Sequence, residues 1–315
     1  MLSVLLAPLP AARVPGAALW LVVIPSEQYL TLSSREMQLA LRHRLGLAPS
    51  DCMPARCACG HVLGPDPYHF HSCTFHRRRA VTTRHDMLVD FCEALGRDTG
   101  ALVLAEDHSR DHDWPDLEFW TRGLADSGHI ISDVSVVCPT APSYRHNGRR
   151  RLACAEARSE AKRQRYATLA TDAGADNLPA VFETFGGMSA ATTSLLHRLI
   201  SSHAVRPGVR TPRQFVRMIR EGLSICLQRG NAMVDHMGLR WATHASSRLA
   251  PLHQLPSDSR RTRHGFGPRT GTRHNRQIYP GDIAIAVVSS VAIYIVPVHV
   301  RLMFFTQHAD GNITL

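Results

Sequence analysis

The chain has 315 residues, room for one large domain or two small ones, and its 44 % apolar content suits an ordinary globular core, which sets aside a wholly unstructured chain. The 36 basic and 26 acidic residues leave a net charge of +10 before any of the 19 histidines is protonated. That balance favours a polyanionic partner, through phosphate neutralisation and counterion release. Lys162 is the only lysine, and every other basic side chain apart from histidine is arginine.

Taken in order, residues 1–24 are apolar, but they carry no basic n-region and Arg13 interrupts the run, so they are not expected to act as a secretion signal. The spacing predicts a helix over Ser34 to Leu45, capped by Ser33 or Ser34, with Glu36 in its first turn and Gly46 as its stop. Residues 1–50 are thus a helical lead-in.

Residues 51–82 carry a cysteine–histidine cluster. Cys57 and Cys59 are followed after nine residues by His69, and after three more by Cys73. Zinc takes thiolate and imidazole in a tetrahedron, and short ligand pairs separated by a turn supply that geometry. Gly60, Gly64, Pro65 and Pro67 build the turn; His71 and His76 compete as ligands, and Cys52 is a substitute. Such a site holds together a segment too rich in loops to fold alone, because the binding free energy of the metal becomes folding free energy. The eight cysteines are better explained by a metal site in a reducing compartment than by disulfides.

A helix is predicted over Thr83 to Leu95, with Met87, Leu88, Phe91, Cys92 and Leu95 as its apolar stripe. Arg77, Arg78 and Arg79 before it, and Arg84 at its start, are the candidate phosphate contacts. Residues 101–106 are expected as a buried strand, 130–138 as a second, and Pro179 to Phe185 as a third. A long helix is expected from Leu152 to Ala173, with further helices over 189–203 and 211–229. The order defines an α/β fold: a small mixed sheet flanked by helices, over 83–203, followed by a C-terminal helix within 204–235. From 236 to 315 the composition changes. Eight arginines and one acid, Asp258, lie between Arg240 and Arg276, which is the composition of a disordered basic segment. Residues 283–300 are an uncharged run of 18, at the lower edge of a membrane span but β-branched and carrying Pro297 and His299, which disfavours one.

The chemistry is expected between Trp114 and Tyr166. Metal-assisted phosphodiester cleavage uses carboxylates as hard ligands for Mg²⁺ or Mn²⁺, with a cation near the attacking water or the scissile phosphate. Asp116 follows Pro115 at a turn, where its carboxylate can project into a cleft. Asp133 is expected in mid-strand among Ile131, Val134 and Val136, where an unpaired carboxylate is costly and a metal or a cation would remove the cost. Helical spacing places Lys162, Arg165, Tyr166 and Leu169 on one side of the following helix. Asp116, Asp133 and Lys162 are therefore the candidate catalytic set, with Arg165 and Tyr166 behind them and Glu160 and Glu106 as possible third acids.

Several stretches together resemble the C-terminal region of non-LTR retrotransposon proteins of the restriction-like-endonuclease class. They are Arg42 to Leu47, Cys57 to Gly60, Asp66 to Cys73, Arg84-His85-Asp86, Pro115-Asp116, Ser132 to Val137, Lys162 to Tyr166, Glu183 to Gly187 and Leu223 to Ala232. The ordered series covers about residues 17–235. The resemblance implies a PD-(D/E)xK-type fold preceded by a zinc knuckle, and a DNA-nicking activity that primes reverse transcription. It implies structural Zn²⁺ on Cys57, Cys59, His69 and Cys73, and catalytic Mg²⁺ or Mn²⁺ on Asp116 and Asp133, with Lys162 moved from the strand to the helix. Ser135 stands where simpler nucleases of that fold place lysine, and Arg165 stands where the family often has a second lysine. The implied partners are DNA and the element RNA, in the nucleus. No Tyr-x-Asp-Asp motif is present, so the chain is expected to be a fragment or decayed copy, with reverse transcriptase supplied separately. The alternative is a catalytically inert, zinc-containing nucleic-acid-binding protein.

Overall fold

The computed structural model describes residues 10–14, 16–105, 114–121, 128–144, 150–203, 212–249, 306–307 and 313–314. The chain divides into two units, Met1–Leu255 and Pro256–Leu315. In the second unit, the described residues are two short strands, with Thr306 paired antiparallel to Thr314. Glu106, most of the basic segment and the run 283–300 lie outside the described residues. Among the described residues, no helix is long and apolar enough to cross a membrane.

Helix α1, Ser34–Leu45, has the ends its sequence prescribes. The Glu36 amide donates to Ser33 Oγ at 3.3 Å, Glu36 Oε2 accepts from the Ser33 amide at 2.7 Å, and Gly46 closes the helix at φ 69°. After the cysteine-rich loop come short helical turns at His69–Ser72 and Thr74–His76, a π-helical turn at Arg77–Val81, and helix α2, Thr82–Asp98.

Four strands form one sheet: β1 (Leu102–Ala105), β2 (Leu117–Trp120), β3 (His129–Ser132) and β5 (Asp176–Asn177), in that order across the sheet. The first two pairings are antiparallel and the third is parallel. A parallel pair, β4 (Val134–Val137) and β6 (Ala180–Glu183), continues the same two chain segments. The single strand expected over 130–138 is divided at Asp133. Opposite it, Pro179 has no N–H to give to the ladder, yet the Leu178 amide still donates to Ile131 O and the Ala180 amide to Asp133 O, each at 3.0 Å. Asp133 thus sits at a joint between two strand pairs, not in mid-strand. β1 is an edge strand rather than a buried one, with Leu102 63 % and Leu104 54 % exposed. β2 was not anticipated from sequence.

Helices cover both faces. α2, α5 (Ala190–His203) and α6 (Pro212–Leu249) bury Leu88, Leu95, Leu195, Leu199, Phe215 and Ile219 against Phe119, Ile130 and Phe182. On the other face, α3 (Ala153–Arg165) sets Cys154 and Ala155 against Val137 and Val181, while Tyr166 and Ala170 meet Ile131. The long helix expected over 152–173 breaks at Tyr166, whose φ of −100° and ψ of 12° end α3 before α4, Ala167–Ala173. The C-terminal helix runs through the expected boundary at 235 and on to Leu249, and Ala242 and Trp241 pack with Phe70, Cys73 and Ala80. The segments expected at 1–50, 51–82, 83–203 and 204–235 all fall in one unit.

Candidate functional site

The split strand brings the acids together. Asp116 immediately precedes β2, Asp133 is the β3–β4 joint, and α3 crosses behind them. Asp116, Asp133, Lys162, Arg165 and Tyr166 line one solvent-open cavity of about 490 Å³, joined by His85, Ser135 and Arg158. Lys162 Nζ forms an ion pair with Asp133 Oδ1. The Tyr166 hydroxyl lies 2.9 Å from Asp133 Oδ2 and 3.1 Å from the Trp114 carbonyl, so its one proton faces both acceptors. Asp116 Oδ2 accepts from the Val134 amide at 2.6 Å and faces His85 Nε2 at 3.1 Å.

The electrostatics follow from burial and crowding. Asp133 is pushed up from the usual carboxylate range, first by burial and then by the negative charge of Asp116; Lys162 and Tyr166 pull it back. Burial works against a charge on His85, yet its hydrogen bonds and charge interactions with Asp116 and Asp86 raise it to about 9. Two acids, each holding one protein cation, therefore share a small polar cavity.

His85 was not among the predicted site residues, although Arg84-His85-Asp86 is one of the stretches that carry the resemblance. It lies three residues before Leu88 and seven before Cys92, on the face of α2 that meets the sheet. Glu160 departs from expectation: it is exposed, accepts from Arg163 at 2.8 Å and Gln164 at 3.0 Å, and does not line the cavity.

Arg84 departs further. It is 1 % exposed, so it is not available to a phosphate. Its Nη1 donates to Asn231 Oδ1 and to His71 Nδ1, each at 3.0 Å, and His71 Nε2 in turn faces Asp235 Oδ1 at 3.0 Å. The Asn231 amide donates to Thr184 O at 2.7 Å. Gly230 permits this: a Cβ there would stand 2.5 Å from Arg84 Cγ. The chain thus ties the cysteine-rich segment, α2 and α6 through one buried Arg84–His71–Asp235 line. Arg79 is exposed, with its guanidinium 5.6 Å over the Trp241 ring. The side chains of Arg77 and Arg78 lie outside the described set.

Cys57, Cys59, His69 and Cys73 converge so that one donor atom of each lies within 4.8 Å of the others, an arrangement that can hold a metal ion. Cys57 Sγ is 3.9 Å from Cys73 Sγ, and Cys59 Sγ is 3.2 Å from His69 Nε2. The Cys57 thiol hydrogen bond favours the thiolate at Cys73 and correspondingly raises Cys57. Of the competing ligands, His71 is committed to Asp235 and Arg84. His76 approaches Cys57 Sγ at 3.2 Å but stands outside the four, stacked on Trp241 at 5.0 Å. Cys52 is exposed, away from the four. None of the eight cysteines is in a disulfide.

A scan against protein-family models and a search of the curated proteins each found no match.

Proposed function

We propose that the chain is a metal-dependent DNA endonuclease module, a nicking enzyme of the PD-(D/E)xK kind, with structural zinc on Cys57, Cys59, His69 and Cys73, akin to the endonuclease region of non-LTR retrotransposon proteins. The observation that carries this is the cavity in which Asp116, Asp133 and the chain's single lysine meet. Asp116 and Asp133 would hold Mg²⁺ or Mn²⁺, which when bound acidifies a water and offsets charge on the phosphate. The chain's own residues do the rest. Lys162 lowers Asp133 against the upward push of its burial and places a positive charge where the phosphate oxygens gain charge. Tyr166 fixes the rotamer of Asp133 by its hydroxyl, and the Val134 amide fixes that of Asp116. Partners on this reading are DNA and element RNA, inside the nucleus, with the polymerase supplied separately.

A second reading, a zinc-containing nucleic-acid binder without cleavage, draws on the same geometry: both acids already carry a protein cation, His85 on Asp116 and Lys162 on Asp133. Nicking of supercoiled plasmid in Mg²⁺ decides between them. The expected result is relaxed circles from the unaltered chain and a loss of at least about 100-fold in Asp133→Ala, the scale set by removing a group that stabilises the transition state. Equal nicking by both, or none by either, sinks the nuclease reading.

A further inference from the structure

The cavity around the carboxylates does not end there. Val81, Ser135, Val136 and Arg158 line both it and a second cavity of about 420 Å³, which reaches Ser72, Thr74 and Tyr144 beside the cysteine cluster. Arg158 stands at the boundary the two share. It lies four residues before Lys162 on α3, so both cations share a face of the helix.

Arg158 is half-buried and poorly matched by the protein. Its Nε donates to Ser135 Oγ at 3.4 Å, a long bond, and it makes no ion pair among the described residues. The acids nearest in sequence are engaged elsewhere. Glu160 accepts from Arg163, and Glu156 accepts from the Ala190 amide at 2.7 Å. A partly desolvated guanidinium without a counter-charge, at the lip of a polar groove, is complemented by a planar fork of anionic oxygens such as a phosphodiester. Helix positions four apart are ~5–6 Å apart, which is comparable with the step between successive phosphates along a strand.

We infer that the DNA strand being cut continues from Asp116, Asp133 and Lys162 past Arg158 toward Ser72 and Thr74, and that Arg158 holds the phosphodiester next to the scissile one. The inference rests on the nuclease reading for the direction of the strand, but its test is a binding measurement. The probe is a short fluorescein-labelled DNA duplex in Ca²⁺, titrated by anisotropy over a range of salt. Arg158→Ala should raise Kd about five-fold and reduce the slope of log K against log salt by about 1, as expected for one lost phosphate contact. Arg158→Lys should recover the slope. Arg163→Ala, on the exposed side beside Glu160, should leave both quantities unchanged. An unchanged slope in Arg158→Ala with an unaltered thermal melt overturns the inference, and so does an unaltered chain that binds no DNA. Failure of the nuclease reading shows differently: no nicking in Mg²⁺, with the Arg158 effect on binding intact.

Discussion

Tyr166 and Asp133 meet across 2.9 Å at the point where α3 gives way to α4, so a break in a helix positions a carboxylate at a break in a strand. Tyr166→Phe removes one hydrogen bond from that carboxylate while keeping the ring against Ile131. A hydrogen bond to a charged group contributes about 1.5–3 kcal/mol, roughly ten-fold or more in an equilibrium. On the nuclease reading, the half-saturating Mg²⁺ concentration for nicking should therefore rise about ten-fold or more, with little change in the melting temperature. An unaltered Mg²⁺ dependence would place Tyr166 outside the working site.

The cysteine cluster should hold one zinc ion per chain, and its removal should be felt well beyond the loop. Phe70 and Cys73 pack with Val234 and Ala242 of α6. Chelation is expected to abolish protection against amide exchange over 53–82 and to loosen the second half of α6, with a measurable loss of helical circular dichroism. Cys73→Ala should reproduce this without chelator. Retained protection in both regions would mean that the four residues fold without an ion.

Arg84 is the side chain whose removal should cost most. It is enclosed, and it faces His71 and Asn231. Arg84→Met leaves His71 Nδ1 and Asn231 Oδ1 without their donor, and each buried polar group left unsatisfied costs about 1–3 kcal/mol. Gly230→Ala should destabilise through the same side chain, because its Cβ would lie 2.5 Å from Arg84 Cγ in a packed interior. Denaturant titration measures both. A loss under about 0.5 kcal/mol, typical of a surface change, would show the line to be unimportant.

What could be foreseen follows from how local each signal is. Helix α1 carries its own boundaries in Ser33, Glu36 and Gly46, and these formed as expected. The α/β order was legible because the apolar periodicities are local too. The Asp133 joint was not, because the residue that interrupts the ladder is Pro179, 46 positions further along the chain. β2 was hidden because only Leu117–Trp120 form it, and its partners are supplied by other segments. α6 was cut short because the composition turns basic and polar after 235, whereas the residues that hold the helix there lie far off in sequence, His71 being 164 residues from Asp235. Arg84 looked like a phosphate contact for the same reason: nothing adjacent in sequence reveals that Asn231 and His71 enclose it.

His43 gives the last prediction. Its ring is buried between Phe185 at 4.9 Å and His71 at 4.4 Å, and neither ring nitrogen has a hydrogen-bond partner. Burial, and then the charges of His71 and Arg84, depress it from 6.5 to about 3, partly opposed by Asp235. A base depressed in the folded state binds its proton more readily when unfolded, so His43 contributes stability present above pH 6.5 and lost as pH falls toward 3. His71 is depressed in the same direction by burial and by Arg84. Asp235 acts oppositely. Burial raises it to about 7, so its contribution is complete below pH 3.8 and is lost as pH rises through 7. His43→Phe keeps the stacking surface and removes the His43 contribution alone, which is at most about 1.4 kcal/mol per pH unit. Its unfolding free energy should therefore fall less steeply than that of the unaltered chain as pH drops from 6 to 4, and at pH 5 it should melt above the unaltered chain. Parallel pH profiles for the two proteins would show that His43 remains neutral in the unfolded chain as well, or takes up its proton without unfolding.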